Sequence, residues 1–194
     1  MLVEVTILIP ILFVFFLGSI DFLLAFFQWS MANKAVQLGA RLAAVSDPVS
    51  SDLSTMTGLV GGVLPGQPMP LFTRTCTALD PKGEIGTCTG GRYSPAAMQR
   101  IVFGEVGATA CANARAGMCN FYSPITAANV TIVYTQTGLG YAGRPGGPVP
   151  TITVSLRNLP FQFFFLSGLM GFADMDMPPM TTTTTGEGLS SSAQ

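Results

Sequence analysis

The longest hydrophobic segment of the chain lies at its N-terminus. From Val5 to Phe27 the residues are aliphatic or aromatic, with few exceptions. The exceptions are Thr6, Pro10, Gly18, Ser19 and Asp21. A helix of this length reaches about 35 Å, which is enough to cross a hydrocarbon layer of about 30 Å with some tilt. The pattern therefore predicts a membrane anchor over residues 1–29, with Trp29 at the membrane–water interface.

The helical pattern continues beyond the anchor. Residues 30–45 are rich in Ala and Leu and contain no proline, so they favour a helix that Asp47-Pro48 should end. Small or apolar side chains recur at steps of three and four residues. They are Ala32, Ala35, Val36, Gly39, Leu42 and Ala43. Such a stripe permits close packing, either on the chain's own domain or on neighbouring copies.

The rest of the pattern predicts an α+β domain over residues 46–185. Residues 46–93 contain repeated Gly and Pro and should be mostly loop, with a short helix over 52–63 as an option. Ser94 is a suitable N-cap and Pro95 suits the first helical position, which predicts a second helix as far as about Ala114. The polar residues 186–194 are predicted to form a flexible tail.

Alternating apolar and polar residues predict a small antiparallel sheet. The strands are expected at Asn129–Thr135, Val149–Arg157 and Met180–Thr185, and the first two should pair across the Gly/Pro-rich loop 137–148. Between the last two strands lies the apolar segment 161–173, which is too short to cross a bilayer. This segment is either a helix that covers the core or a patch that contacts membrane or partners.

The composition excludes several classes of function. Charged residues make up 10% of the chain and the net charge is −1, so there are too few basic residues for a nucleic-acid surface. The absence of histidine removes Ser–His–Asp and Cys–His nucleophiles and histidine zinc sites. Without a convergent polar cluster, we expect no catalytic residues, cofactor, metal or small-molecule substrate.

The cysteines indicate an oxidising compartment. Cys76, Cys88, Cys111 and Cys119 all follow the anchor, and an even number of exported cysteines is typical of disulfides. Their spacing is not the C-x-x-C of zinc or redox motifs, so a metal site or free thiols are less favoured. Three pairings are open. We favour the local ones, which close short loops, and we place the domain outside the cytoplasm.

Two motifs have ordinary structural explanations. Gly138, Gly140 and Gly143 match the dinucleotide pattern G-x-G-x-x-G, but the residues that follow contain prolines and cannot form the required helix. A hairpin loop is therefore expected. Asp174, Asp176 and Glu187 lie in a predicted loop and tail, so a solvated surface is expected instead of a cation site.

Two acidic residues belong to the apolar helix. Glu4 lies at its start and Asp21 lies within it. A carboxylate near the middle of a lone membrane helix costs about 2.5–3.5 kcal/mol, so a partner should compensate it. The candidates are a terminal amine, another helix or a water-filled groove. We therefore predict that Glu4 and Asp21 take part in subunit assembly.

The N-terminal residues also resemble a known family. The resemblance lies in Val3-Glu4-Val5, Ile9-Pro10-Ile11-Leu12, Leu17-Gly18 and the run from Asn33 to Arg41. The chain is similar there to TadE-like pseudopilins of the tight-adherence (Flp) pilus system. In type IV pilins a leader is removed and a glutamate at mature position five neutralises the terminal amine of a neighbouring subunit. Glu4 would take that position if one more residue followed a cleavage site upstream of Met1.

The resemblance implies a structural role. The chain would be a minor pilin or pseudopilin that assembles with other pilins and Tad secretion proteins and supports adhesion and biofilm formation. It would cross the bacterial inner membrane once, with its pilin-like domain in the periplasm or on a surface pilus. The alternative is a membrane-anchored periplasmic module that binds or senses a ligand, with the anchor as a tether.

Overall fold

A single long helix begins the fold. The computed structural model describes residues 2–112, 114–165, 175–186 and 188–189, with side chains from residue 5 onwards. Helix α1 comprises Leu2–Val45, 44 residues with Pro10 inside it, and is about 66 Å long. The predicted anchor and its predicted extension are therefore one continuous helix. It ends before Asp47-Pro48, as expected.

An antiparallel sheet of five strands forms the rest of the framework. The strand order is β2-β1-β3-β4-β5. The strands are β1 Thr73–Ala78, β2 Gly86–Cys88, β3 Val130–Thr135, β4 Thr151–Leu156 and β5 Met180–Thr185. A second helix, α2, comprises Pro95–Phe103. The fold is thus α+β, and the three strands expected from alternation are present as β3, β4 and β5.

The sheet has one buried face and one threonine-rich face. Ile132 of β3 lies opposite Val154 of β4 in the register, and both are buried on the side that α1 covers. The other face carries rows of directly paired polar residues. One row is Thr73, Thr135, Thr151 and Thr185. The alternation therefore assigned the faces of β3 and β4 correctly.

The stripe of small residues on α1 packs on the chain's own domain. Ala32, Ala35 and Ala43 are completely buried. At Gly39 an added Cβ would lie 2.5 Å from Sδ of the buried Met118, so the missing side chain lets Met118 lie against the helix. Of the two alternatives for this stripe, the structure shows packing within the chain.

The prediction that residues 46–93 are mostly loop was wrong in part. They contain β1 and β2, and in place of a helix over 52–63 there is one 3₁₀ turn at Leu53–Thr55. The sequence of β1 is polar at most positions, with Cys76 and Ala78 as its buried residues. The backbone groups of β1 form hydrogen bonds with β2 and β3, and β3 is distant along the chain. A local pattern cannot reveal that pairing.

The second helix is shorter than predicted. It ends at Phe103 and not near Ala114, because Gly104 adopts a left-handed backbone conformation with φ of 94°. The N-cap is as expected, since Ser94 accepts a hydrogen bond from the N–H of Ala97. An added Cβ at Gly104 would lie 2.1 Å from the carbonyl oxygen of Arg115, so the returning chain leaves no room for a side chain. Cys111 consequently lies beyond the helix.

The apolar segment after β4 extends the β4–β5 hairpin. The N–H of Phe161 donates to the carbonyl of Met175 at 2.9 Å, and the N–H of Met177 donates to that of Leu159 at 2.7 Å. Residues 161–165 form no helix. Residues 166–173 lie outside the described residues, so the helical alternative is not tested there. Of the predicted tail, only 186, 188 and 189 are described, and Leu189 is buried against the core.

Candidate membrane and subunit interface

The N-terminal part of α1 exposes its apolar side chains on all sides. Between residues 5 and 20 no described side chain is buried. The large exposed ones are Val5, Ile7, Leu8, Ile9, Ile11, Leu12, Phe13, Phe15 and Phe16. By length and composition, the helix could cross a membrane. This surface requires a cover of lipid or of other helices, because large exposed apolar patches are rare on monomers in water.

Asp21 is where α1 first becomes buried by its own domain. Its side chain is 1% exposed. Its two carboxylate oxygens accept hydrogen bonds from the backbone N–H groups of Phe164 at 3.1 Å and Phe165 at 2.9 Å. The sequence predicted that a partner must compensate the charge of this acid. In the structure, backbone N–H groups of the same chain donate hydrogen bonds to the carboxylate. The predicted role of Asp21 in subunit assembly stays a prediction.

Gln28 forms a second polar contact with the same segment. Its Nε2 donates to the carbonyl of Gln162 at 2.7 Å, and its Oε1 accepts from the N–H of Gln162 at 2.9 Å. The same oxygen accepts from the hydroxyl of Tyr122 at 3.1 Å. Burial raises the pKa of Tyr122, which keeps this hydroxyl a donor.

Gln28 was missed by the sequence analysis, although a signal existed. It lies seven residues after Asp21, so the two polar side chains fall on one face of α1, together with Ala32 and Ala35. A polar pair on the face that continues into the small-residue stripe indicates contact with the chain's own domain. The exposed face of the same helix turns carries Phe22, Phe26 and Trp29 instead.

Glu4 lies in the first turns of α1. Its side chain is outside the described part of the structure. Its predicted role as the residue that neutralises a neighbouring amine therefore stays a prediction.

Two disulfides hold the loops around the sheet. Cys76–Cys88 joins directly opposite residues of β1 and β2, with a Cα–Cα distance of 4.1 Å. Cys111–Cys119 closes the chain after α2, with a Cα–Cα distance of 5.7 Å. Both pairings are the local ones favoured from the sequence, and the structure has no free cysteine.

The glycine-rich motif is a hairpin loop, as expected. Gly138, Gly140 and Gly143 have positive φ and lie between β3 and β4. The N–H of Ala142 donates to the carbonyl of Gln67 at 2.8 Å, which ties this loop to the 58–70 region. No helix follows the glycines, so this loop lacks the helix N-terminus that holds a pyrophosphate. Of the predicted acidic surface only Asp176 is described, and it is exposed beside Pro160.

A comparison with known protein families matches most of α1. The model of the family described as TadE-like protein matches residues 1–41. The chain carries a TadE-like N-terminal segment. This family indicates a structural component associated with the Tad pilus, and it is not known for enzymes. No curated protein and no solved structure matches the chain.

The TadE-like match covers all of the exposed part of α1 and most of its packed part. It ends at Arg41, close to the end of the helix at Val45. The sheet, both disulfides and α2 lie outside the match. The likeness therefore concerns the helix that carries Glu4 and Asp21, and the domain has to be interpreted from its own structure.

Proposed function

We propose that this TadE-like chain is a minor pilin or pseudopilin of a Tad/Flp-type pilus. It is anchored in the bacterial inner membrane by α1 and carries its disulfide-bonded domain on the periplasmic side or on the filament. The observation that supports this most is the division of α1. Among residues 5–20 no described side chain is buried, whereas several residues from Asp21 onwards are buried in the domain's own packing.

This division suits a subunit that moves from lipid into a bundle of helices. The exposed half is apolar all round, so a bilayer and the neighbouring helices of a filament can each cover it without a change in the domain. Glu4 lies at the far end of this half. Its charge is tolerated in an apolar filament core where a neighbouring amine neutralises it, which fixes the register of adjacent subunits.

The proposed partners are other pilins and the Tad assembly proteins of the membrane. Adhesion and biofilm formation would follow from the presence of the pilus and need no catalysis by this chain. The alternative, a membrane-anchored module that binds or senses a ligand, uses the anchor as a tether. The two proposals differ in whether the sequence of the exposed half of α1 matters.

The first experiment changes the charge at the head of the helix. We expect Glu4→Ala to abolish incorporation into sheared pili while the protein remains in the membrane fraction, because register is lost but hydrophobicity is not. Glu105→Ala, at an exposed position beyond α2, is the matched control and should assemble normally. Normal recovery of the Glu4→Ala protein in pili would contradict the proposal.

The second experiment replaces the anchor. The structure sets the boundary of the exchange at residue 20, because from Asp21 onwards α1 contacts the domain. Exchanging residues 1–20 for an unrelated membrane helix should stop pilus assembly. A tethered binding module would keep its function after the same exchange.

A further inference from the structure

A phenylalanine-rich segment runs along α1 at the level of the predicted anchor. Residues 161–165 have the sequence Phe-Gln-Phe-Phe-Phe. Gln162 is held beside Gln28, and Phe164 and Phe165 are held beside Asp21. The segment therefore proceeds towards the N-terminal end of the helix, away from the sheet. Since Asp21 is eight residues before Trp29, its end lies about 12 Å deeper along α1 than Trp29.

The backbone of this segment is hydrogen-bonded by helix side chains. Gln28 satisfies both the N–H and the carbonyl of Gln162, and Asp21 accepts the N–H groups of Phe164 and Phe165. In water, backbone groups without a protein partner could bond to solvent. In hydrocarbon every backbone polar group must be satisfied by protein, so non-helical backbone at that depth needs such partners. Asp21 and Gln28 supply partners for four of these groups, and the carbonyl of Met175 accepts from the N–H of Phe161.

The side chains around these hydrogen bonds are apolar and exposed. Phe164 is 67% exposed and Phe165 is 45% exposed. Next to the segment lies an open cleft of about 310 Å³ with a wholly apolar lining. It is lined by Phe22, Ala25, Phe26, Trp29, Phe161 and Pro178. The cleft is continuous with the exposed apolar surface of α1, so whatever covers that surface also reaches the cleft.

We infer that residues 161–165 are a second membrane contact of this chain, inserted beside α1 into the leaflet nearest the domain, with lipid acyl chains in the aromatic cleft. Asp21 and Gln28 are the positioning residues, because they hydrogen-bond four backbone groups of the inserted segment. Lipid is the occupant because the cleft continues the surface of the membrane-spanning helix and because phenylalanine is among the residues that insert favourably into the hydrocarbon layer. The inference rests on the membrane anchoring of α1, and not on assembly into a pilus.

The test uses a tryptophan reporter in the full-length chain. Trp29 is the single tryptophan, so Trp29→Phe provides a background without tryptophan fluorescence. In that background Phe164→Trp places a reporter at an exposed position of the segment, where the larger ring displaces no packed neighbour. Tyr141→Trp is the control, at an exposed position in the loop at the opposite end of β4. Each protein is reconstituted into phosphatidylcholine vesicles with or without bromine on the acyl chains.

We expect blue-shifted emission of the Phe164→Trp reporter, and quenching by brominated lipid at least half as large as that of Trp29 in the wild-type chain. The Tyr141→Trp reporter should show little quenching. If the Phe164→Trp and Tyr141→Trp reporters are quenched equally little while Trp29 is quenched, the inference is overturned. The membrane anchoring of α1 would still be supported. Blue-shifted emission without bromine quenching that disappears when the protein is diluted in lipid would identify a second copy as the occupant and would also overturn it.

A second variant tests the positioning residue. Asp21→Asn has nearly the same size, but it offers only one accepting oxygen to the two N–H groups of the segment. We expect it to lower the bromine quenching of the Phe164→Trp reporter while the quenching of Trp29, measured in Asp21→Asn alone, is unchanged. Unchanged quenching at position 164 would overturn the role of Asp21. Pilus recovery plays no part in these readouts, so they fail or succeed separately from the proposed function.

Discussion

The two halves of α1 have similar secondary structure and opposite surroundings. Residues 5–20 are mostly large aliphatic and aromatic residues, and their described side chains are exposed or half-buried. Residues 21–45 contain more Ala and polar residues, yet they supply the completely buried positions Ala32, Ala35 and Ala43. The more hydrophobic half is thus the one that the domain does not cover.

The difference shows that side-chain volume and placement decide which half joins the core. Small side chains on one stripe let the sheet and Met118 approach the helix closely, as at Gly39. A helix with large apolar residues around its whole circumference has no single face for packing on a domain. It suits a lipid bilayer or a bundle of helices. Asp21 and Gln28 mark the boundary, because their hydrogen bonds need a fixed partner on one face.

The largest effect is expected from a change that lowers the stability of the domain and leaves the membrane anchor unaffected. Replacing Cys76 and Cys88 together by Ala should lower the free energy of unfolding of the domain by about 3 kcal/mol, because the bridge closes a loop in the unfolded chain. Denaturant unfolding in detergent, followed by tyrosine and tryptophan fluorescence, measures the loss.

The same double variant should leave the exposed half unaffected. Its membrane fraction should resist alkaline extraction as the wild-type protein does, since residues 5–20 do not depend on the sheet. If the double variant lost both its membrane retention and the stability of its domain, the exposed half of α1 would not be independent of the domain.

An intermediate effect is expected when a small residue is replaced by Leu in the packed half, but not when this is done in the exposed half. Ala35→Leu adds volume at a completely buried position and should destabilise the domain by about 1–3 kcal/mol through overpacking. Ser19→Leu, at an exposed position of the other half, is the matched change and should leave the unfolding midpoint unchanged. Equal effects of the two variants would remove the distinction between a packed and an uncovered half.

The smallest effect concerns pH. Burial alone raises the pKa of Asp52, but hydrogen bonds from Ser50 and Arg74 outweigh it, so the pKa lies below its ordinary value of 3.8. A depressed pKa stabilises the folded state above the unfolded pKa, and this stability is lost as the pH falls through the folded value. Since the Asp52 side chain is 32% exposed, the expected loss is about 1 kcal/mol or less.

The measurement is the unfolding free energy at neutral and at strongly acidic pH. Asp52→Asn should reduce its pH dependence, and Ser19→Leu should leave it as in the wild-type chain, because residues 5–20 contain no charged side chain. A pH dependence that Asp52→Asn does not alter would show that this carboxylate contributes nothing.

Several elements could be predicted because their signals are local. The apolar run of α1, its end before Pro48, the N-cap at Ser94 and the alternation in β3 and β4 each depend on neighbours within a few residues. The disulfide pairing favoured for its short loops, out of three possible pairings, is the one in the structure. The wrong predictions concern elements whose bounds depend on contacts with distant segments of the chain. The backbone of strand β1 is hydrogen-bonded by β3, which lies far along the chain. Helix α2 ends at Gly104, where the later residue Arg115 packs against it.

The sequence by itself determined that the chain has a long apolar helix, a disulfide-bonded α+β domain and a TadE-like beginning. Each of these depends on local periodicity, composition or a contiguous motif. Only the tertiary structure decided which half of the helix the domain covers and what Asp21 and Gln28 bind. Their hydrogen-bond partners lie 94 to 144 residues away, and no local pattern encodes a contact whose geometry depends on how the sheet packs on the helix.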